Sequence, residues 1–513
     1  MINAIGREIP EFVDGYGRVV PFAGAFAMRP DMRRQAPLVK TVRPSESKLV
    51  DDLKDVFERV PIRDGMTLSF HHHLRNGDGL TNAVLATAAE LGVQNLKVAL
   101  SSVFPIHEPM VGHFESGVVS ALDTDYMSGP VAEAVSRGVL AHPAVLRTHG
   151  GRARAIECGH LKIDVAFIAA PAADDYGNIN GVGGPTACGS LGYAFPDAEY
   201  ADWVVAVTDT LVGYPLAPVS IPQTRVDYVV EVQEIGDAEG IASGAARITE
   251  DQVKLEIAQT AAEVIRATGL IEDGFSFQTG AGGTSLAVTR FVRRMMEEGE
   301  VVGSFALGGI TGPLVEMLED GVFESLIDVQ CFDQEAIRSL AANPNHLEVG
   351  AGFYANPFNS GCAVNKLDCV VLGATQVDTS FNVNVVTGSD GKILGGSGGH
   401  SDTAAGAKLA IVVASLARGS FPIVTDEVLT ATTPGEAIDV VVTDHGVAVN
   451  PQRDDLGDLL PAAGLPVRDI ADLKSMADET AGMPQHAEVG DEIVAVVEYR
   501  DGTVIDVVRQ IVE

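Results

Sequence analysis

Lys162-Ile163-Asp164-Val165-Ala166-Phe167-Ile168 returns in the second half of the chain as Lys366-Leu367-Asp368-Cys369-Val370-Val371-Leu372. Each run is a charged lead-in followed by a continuous apolar stretch, the pattern of a strand covered on both faces in a parallel sheet. Three further pairs keep the same order and nearly the same separation. Asp64-Gly65-Met66-Thr67-Leu68 returns as Asp273-Gly274-Phe275-Ser276-Phe277, Asn178-Ile179-Asn180 as Asn382-Val383-Asn384, and Val226-Asp227-Tyr228-Val229-Val230 as Ile438-Asp439-Val440-Val441-Val442. Four matches in register mean a duplicated unit. Helical spacing between the strands makes each copy a set of βαβ units. The expected fold class is therefore α/β, with two tandem, similar domains on mainly parallel sheets.

Working outward, residues 1–45 mix Gly, Pro and Arg (Arg29-Pro30, Arg33-Arg34, Arg43-Pro44) and read as an N-terminal arm. The first domain is expected over 46–248. A helical pattern runs from Ser47 through Leu49, Leu53, Val56 and Phe57 to Pro61. A strand at 66–70, a polar loop at 71–79, a helix over 80–91 closed by Gly92, and a strand at 96–100 follow. A boundary is placed at 245–249, where Thr249 and Gln252 read as a capping box. The second domain, 249–465, opens with strand 275–279, loop 280–284 and helix 285–298. Residues 466–513 form a C-terminal extension with a hairpin turning at Asp501-Gly502, expected to extend or clamp the body.

The 513 residues exceed one ordinary core, in keeping with two domains. With 35 basic against 70 acidic residues, net −35, the chain is a poor candidate for binding a nucleic acid backbone. No apolar run reaches the roughly 20 residues that span a bilayer, and Arg7, Glu8, Glu11 and Asp14 stand where a signal peptide would be apolar. A cytoplasmic protein without membrane partners is expected by default. The five cysteines form no C-x-x-C pair, so buried free thiols and no metal ligands are expected.

The candidate chemistry sits in glycine-rich loops. Gly395-Gly396-Ser397-Gly398-Gly399-His400-Ser401-Asp402 precedes a small-residue run, 403–409, that reads as helical. Its backbone N–H groups suit a carboxylate, a phosphate or an oxyanion; read alone, the loop is also a plain strand-to-helix connection. The first copy has the same G-x-G-G spacing in Gly181-Val182-Gly183-Gly184-Pro185-Thr186-Ala187, with Pro185 and Ala187 where the second has His400 and Asp402. The second loop is thus expected to be the functional one, with Gly398, Gly399, His400 and Asp402 serving catalysis. Adjacent His400-Ser401-Asp402 is not a hydrolase triad, because triads assemble from distant segments.

The loop Gly280-Ala281-Gly282-Gly283-Thr284 reads as an anion cradle or as a close packing turn. It lacks the dinucleotide fingerprint, whose third glycine would fall at Ser285. His71-His72-His73 is too contiguous to chelate one metal, since alternate side chains point apart; one or two facing a cleft with Arg75 is preferred, surface histidines being the alternative. Ser304-Phe305-Ala306-Leu307-Gly308-Gly309-Ile310-Thr311-Gly312-Pro313 reads as a strand end followed by a glycine-rich turn, and Asp444-His445-Gly446 as a turn.

Several segments carry a resemblance to the citrate lyase alpha subunit, the citrate CoA-transferase component. They are residues 64–72, 278–291 (beginning Gln278-Thr279-Gly280-Ala281-Gly282-Gly283-Thr284), 307–312, 381–385, 397–407 and 442–446. The resemblance spans essentially the whole chain and implies two CoA-transferase-type domains. In the broader CoA-transferase group a strand-end Glu-Asn-Gly motif supplies a nucleophilic glutamate. Here the equivalent strand end reads Ala306-Leu307-Gly308-Gly309, without a carboxylate.

The resemblance therefore implies direct attack of a citrate carboxylate on an acetyl thioester, through a mixed anhydride, without an acyl-enzyme. The thioester would be carried by CoA or by a small acyl carrier (gamma) subunit bearing a phosphoribosyl-dephospho-CoA-type prosthetic group. A lyase (beta) subunit would cleave the citryl product, in an oligomeric assembly; no covalently bound cofactor is expected on this chain. His71, His72, Arg75, Gly308, Gly309 and Asn384 are expected to meet citrate, and Gly280, Gly282, Gly283 and Thr284 the thioester's carrier group. The rival expectations are a CoA-transferase or thioester hydrolase for another short acid, and a non-catalytic ligand-binding scaffold.

Overall fold

The computed structural model describes residues 1–27, 34–38, 40–242, 248–481 and 488–512. Arg29-Pro30 and Arg33 of the expected arm, and residues 245–247 of the expected boundary, lie outside the described residues.

Two sheets repeat one strand order. In the first, the order is Ala144–Leu146, Val119–Thr124, Leu96–Leu100, Thr67–Phe70, Val165–Ala169, Trp203–Thr208 and Tyr228–Glu231. In the second it is His346–Glu348, Phe323–Cys331, Gly303–Ile310, Ser276–Thr279, Cys369–Gly373, Leu409–Val413 and Val440–Thr443. All neighbours within these two sets are parallel. The duplicated runs at 162–168 and 366–372 form the buried strands Val165–Ala169 and Cys369–Gly373. In both sheets the chain winds one way from the central strand and then the other. This leaves a crevice at the strand C-termini, beyond Phe70 in one lobe and Thr279 in the other.

Each lobe also carries a matching three-stranded sheet: Ile179–Asn180, Ala172–Asp174 and Leu211–Val212 in the first, Val383–Asn384, Gln376–Asp378 and Val424–Thr425 in the second. The C-terminal hairpin, Val489–Glu498 with Val504–Ile511, adds to the edge of the first sheet beside Ala144–Leu146. Ile9, Val13 and Val19 of the arm pack on Val496, Val504 and Val507 of that hairpin. Helix Ile470–Ala481 instead covers the second sheet through Ile470, Leu473 and Ala477. No described helix is long and apolar enough to cross a membrane.

Several local expectations are corrected. Leu49–Val50 is a strand, because the open edge of Tyr228–Glu231 takes it as a parallel neighbour. The helix starts only at Leu53, capped by Asp52, whose side chain accepts from Asp55 N. Helix Gln252–Ala267 is capped by Asp251, not by a Thr249–Gln252 box, since the Asp251 carboxylate reaches both Val253 N and Lys254 N. Helix His400–Gly406 ends before Leu409, which opens a wholly buried strand. Gly308 and Gly309 lie at a bulge in strand Gly303–Ile310, and helix Gly312–Glu319 opens at Gly312 where a glycine-rich turn was expected. The five cysteines are unpaired, as expected, and all but Cys158 are buried.

Candidate active site at the junction of the lobes

Residues 395–399 leave the second lobe and lie against strand ends of the first. Met127 N donates to Gly395 O (3.3 Å), Gly398 N to Asp125 O (3.1 Å) and His149 N to Gly398 O (2.8 Å). Gly396 permits this approach: a Cβ there would stand 2.2 Å from Asp125 O and 2.6 Å from Tyr126 Cα.

Two first-lobe side chains converge beside the loop. Thr148 caps helix His149–Glu157, accepting from Gly151 N, and so fixes His149 at the helix start. His149 Nδ1 lies 2.9 Å from Oδ2 of Asp125, a fully buried carboxylate just past strand Val119–Thr124. Burial raises the Asp125 pKa even against the opposing pull of His149. The half-buried His149 ring lies 4.6 Å from the Tyr193 ring and 5.8 Å from that of His72. Its Nε2 is 3.3 Å from where a side chain at Gly398 would begin.

The three consecutive histidines divide between two environments, as alternation along an extended strand end requires. His72 faces the junction, 4.5 Å from Tyr193, while second-lobe Gln330 donates to its carbonyl (2.8 Å). Burial, then His149, His73 and Arg75, hold its pKa well below the usual value, so it is neutral at neutral pH. His71 turns the other way, onto buried Asp197 (3.2 Å), and stacks on His73. Asp197 is itself held by Arg152 and Ser69. His71 therefore belongs to a first-lobe core network, apart from the junction where it was expected to meet substrate. Arg75 reaches the junction, 4.6 Å over the Phe332 ring of the second lobe and 5.4 Å over Phe104 of the first.

The second lobe supplies the opposite wall. Gly308 has φ +106°, and a side chain there would begin 2.7 Å from Gln278 Nε2. Gln278 donates to Tyr354 Oη (2.8 Å), and a side chain at Gly399 would begin 2.5 Å from that same hydroxyl. Gly309 faces the Phe332 ring, and through it Arg75. Gly308, Gly309 and Gly399 are thus gathered around one wall, with His72 and Arg75 facing them.

The loop amides are not equivalent. The Gly395 and Gly398 N–H groups are committed to Val386 and Asp125, whereas those of Gly396, Ser397 and Gly399 find no acceptor among the described residues; of these three only Gly399 adjoins the Gly308 wall, through Tyr354. His400 points into the second lobe, Nδ1 2.8 Å from Thr433 Oγ1 and Nε2 3.0 Å from Gly373 O, and burial lowers its pKa to about 4. Asp402 crosses to the first lobe, accepting from Thr148 Oγ1 (2.9 Å) and Gly150 N (2.8 Å) with Arg500 at 3.6 Å. His400 thus holds the loop to its own lobe, and Asp402 holds the start of the helix bearing His149. Asn384 is spent on its own turn: its side chain donates to Gln376 and Thr387 and accepts from Val386 N and Thr387 N.

Gly280, Gly282, Gly283 and Thr284 are half-buried at the C-terminal end of strand Ser276–Thr279, where helix Gly283–Glu298 begins. Ser285 Oγ donates to Gly280 O and Gly282 O, so local hydrogen bonds shape this turn. Asp328, Cys331 and His346 are the described group with metal-ligand chemistry, their donor atoms lying within 4.8 Å of one another. Asp328 Oδ2 is 2.9 Å from both His346 Nε2 and Cys331 Sγ, the spacing of shared protons and shorter than two ligands of one tetrahedral zinc ion adopt. Among the described residues, cavities of about 350 and 310 Å³ lie elsewhere, beside Arg7 and Asp506 and beside Arg453 and Arg468.

Sequence reasoning missed Asp125, His149, Tyr193, Gln278 and Tyr354. A signal existed for His149: Thr148 followed by a helix is a cap pattern that places the next residue at a helix N-terminus.

A family model, "Citrate lyase, alpha subunit (CitF)", matches residues 46–511. The citrate lyase alpha chain of Klebsiella pneumoniae is 46% identical over 493 residues, covering 96% of each chain. A Streptococcus mutans structure described as a citrate lyase alpha subunit in complex with citrate is 48% identical, with a TM-score of 0.96 over 100% of both chains. A 4-hydroxybutyrate CoA-transferase from Porphyromonas gingivalis shares the fold alone: 16% identity and a TM-score of 0.55 over 84% of this chain and 96% of that one. The chain belongs to the citrate lyase alpha subunit family, on a CoA-transferase-type fold.

Proposed function

We propose that the junction between the lobes transfers a thiol carrier from an acetyl group to citrate: acetyl thioester plus citrate gives citryl thioester plus acetate. The family membership makes the chain an acyl-transferring citrate lyase alpha subunit, and the S. mutans relative was solved with citrate. The carrier is a CoA-type thiol, on CoA itself or on a small acyl carrier subunit. A companion lyase subunit then cleaves the citryl product.

The observation that carries the mechanism is the wall at Gly308. The bulge there bears no side chain, and Gln278 and Tyr354 occupy the space beside it. The two carboxylates held at the loop are both engaged, Asp125 by His149 and Asp402 by Thr148, Gly150 and Arg500. This supports direct attack of a citrate carboxylate oxygen on the acetyl carbon, forming a mixed anhydride in a ternary complex. The Gly399 N–H then serves the developing oxyanion, a single donor of this kind being worth about 3–4 kcal/mol. Arg75 and neutral His72 are the citrate contacts this geometry favours.

Labelled CoA and unlabelled acetyl-CoA test it. Label should stay out of the acetyl thioester with and without citrate, because the departing thiol is held in the ternary complex, while citrate turns acetyl-CoA into citryl-CoA and acetate. Exchange without citrate at the rate of turnover would mean an acyl-enzyme and would end the direct-attack proposal.

A further inference from the structure

Direct attack leaves one problem that the glycine loop does not solve. When the acetyl carbon–sulfur bond breaks, the electron pair leaves on sulfur, and the thiolate must stay in the site until it attacks the citryl carbonyl. An alkyl thiolate is basic, with a Cys-like thiol pKa of about 8.5, and it needs a partner during that interval.

His149 is placed for this task. Asp125 fixes one ring nitrogen, Nδ1, at 2.9 Å. The other, Nε2, lies beside Gly398 in a half-buried position with no hydrogen-bond partner among the described residues. Gly398 immediately precedes Gly399, whose free N–H marks the oxyanion position, and consecutive Cα atoms are about 3.8 Å apart. One thioester group spans that interval. Tyr193 and His72 pack against the ring and hold its plane.

Resting on the acyl-transfer reading above, we propose that His149, oriented by Asp125, lends the sulfur a proton while the acyl group passes between carriers. In the first step a citrate oxygen bonds to the acetyl carbon and the carbon–sulfur bond breaks. The proton on His149 Nε2 moves to the departing sulfur and leaves a neutral imidazole. In the second step Nε2 takes the proton back as sulfur attacks the citryl carbonyl. The anhydride carbon–oxygen bond breaks, and acetate leaves as the carboxylate. No proton is gained or lost overall, and nothing is oxidised or reduced.

The test compares two donors with citrate as acceptor: acetyl-CoA, with a basic alkyl thiolate leaving group, and S-phenyl thioacetate, with a much less basic one. His149→Gln should lower kcat with acetyl-CoA by about 100-fold or more, with both KM values changed by no more than about 3-fold. With S-phenyl thioacetate the loss should shrink at least about tenfold, because that sulfur needs little help. Asp125→Asn should give the same donor-dependent pattern at smaller size. Thermal unfolding of both variants separates a folding defect from a catalytic one. Equal losses on both donors in folded variants, or no loss, overturn the proposal. A wild-type enzyme that transfers from neither donor, or exchanges thiols without citrate, instead overturns the acyl-transfer reading beneath it.

Discussion

The two lobes meet at two junctions on matching strands, and only one leaves its polar side chains partly open. At the first, the second-lobe loop 395–399 lies on the ends of Val119–Thr124 and Ala144–Leu146, where Asp125, Thr148 and His149 stand. At the second, first-lobe residues 188–192 lie on Phe323–Cys331 and His346–Glu348, the matching strands of the other sheet. Ser190 Oγ donates to Asp328 O (3.1 Å) and Leu191 N to Glu348 Oε1 (2.7 Å). Residues 188–192 are all buried, whereas Gly396, Gly398 and Gly399 are half-exposed. The helix that follows the second junction's strands opens with Ala351, where the first opens with His149. A duplicated fold thus yields two close contacts between lobes, each with a histidine–carboxylate pair: His346–Asp328 is fully buried in the sealed one, and His149–Asp125 is left partly open in the other.

Glycine substitution puts the largest strain on that contrast. Gly399→Ala places a methyl against Tyr354 Oη and displaces the free N–H. It should cut kcat by about 100- to 1000-fold with little change in unfolding midpoint. Gly192→Ala meets the carbonyls of Val349 and Val329. It should cost about 1–3 kcal/mol of stability while folded protein keeps its kcat. Comparable kcat losses in both variants would erase the distinction between the junctions.

The next effect is a pH dependence carried by His400 behind the open loop. Burial depresses its folded pKa from 6.5 to about 4. Above pH 6.5 the group is neutral in both states and the stability is fully present. As pH falls from 6.5 towards 4 the unfolded chain takes up the proton first, so stability is lost, on the order of 3 kcal/mol across the window. Urea midpoints measured between pH 7 and 5 should fall more steeply for wild type than for His400→Asn. Equal slopes would mean that the back of the open junction is wetter than its hydrogen bonds to Thr433 and Gly373 require.

The smallest effect separates the two carboxylates that cross the junctions. Asp402→Ala leaves Gly150 N and Thr148 Oγ1 without their acceptor, at about 1–3 kcal/mol. It should also lower kcat, because those groups begin the helix that carries His149. Glu348→Ala removes one acceptor, for Leu191 N, at about 1 kcal/mol, and should leave kcat intact. A kcat loss on Glu348→Ala would show that both junctions serve turnover.

The duplication was legible because it rests on short-range pattern. Buried parallel strands need continuous apolar runs, and 165–169 and 369–373 advertise themselves in any window. The same local logic located the loops around Gly398 and Gly280. It failed where a partner from far along the chain decided the outcome. Leu49 became a strand because an edge 180 residues away accepted it. His400 and Asp402 looked like reactive groups, yet they face Thr433 and Gly150 and act as braces.

By itself the sequence determined two α/β lobes, a glycine loop with polar followers in one copy only, and a strand end with no nucleophilic carboxylate. The tertiary structure decided which amides of that loop are committed, which of three histidines turns towards the cleft, and that Asp125 and His149 stand beside Gly398. The reason is physical. Periodicity and glycine content report what a segment does to its own backbone. Hydrogen bonds between residues 125, 149 and 398 exist only after two sheets have packed, and no local pattern encodes that contact.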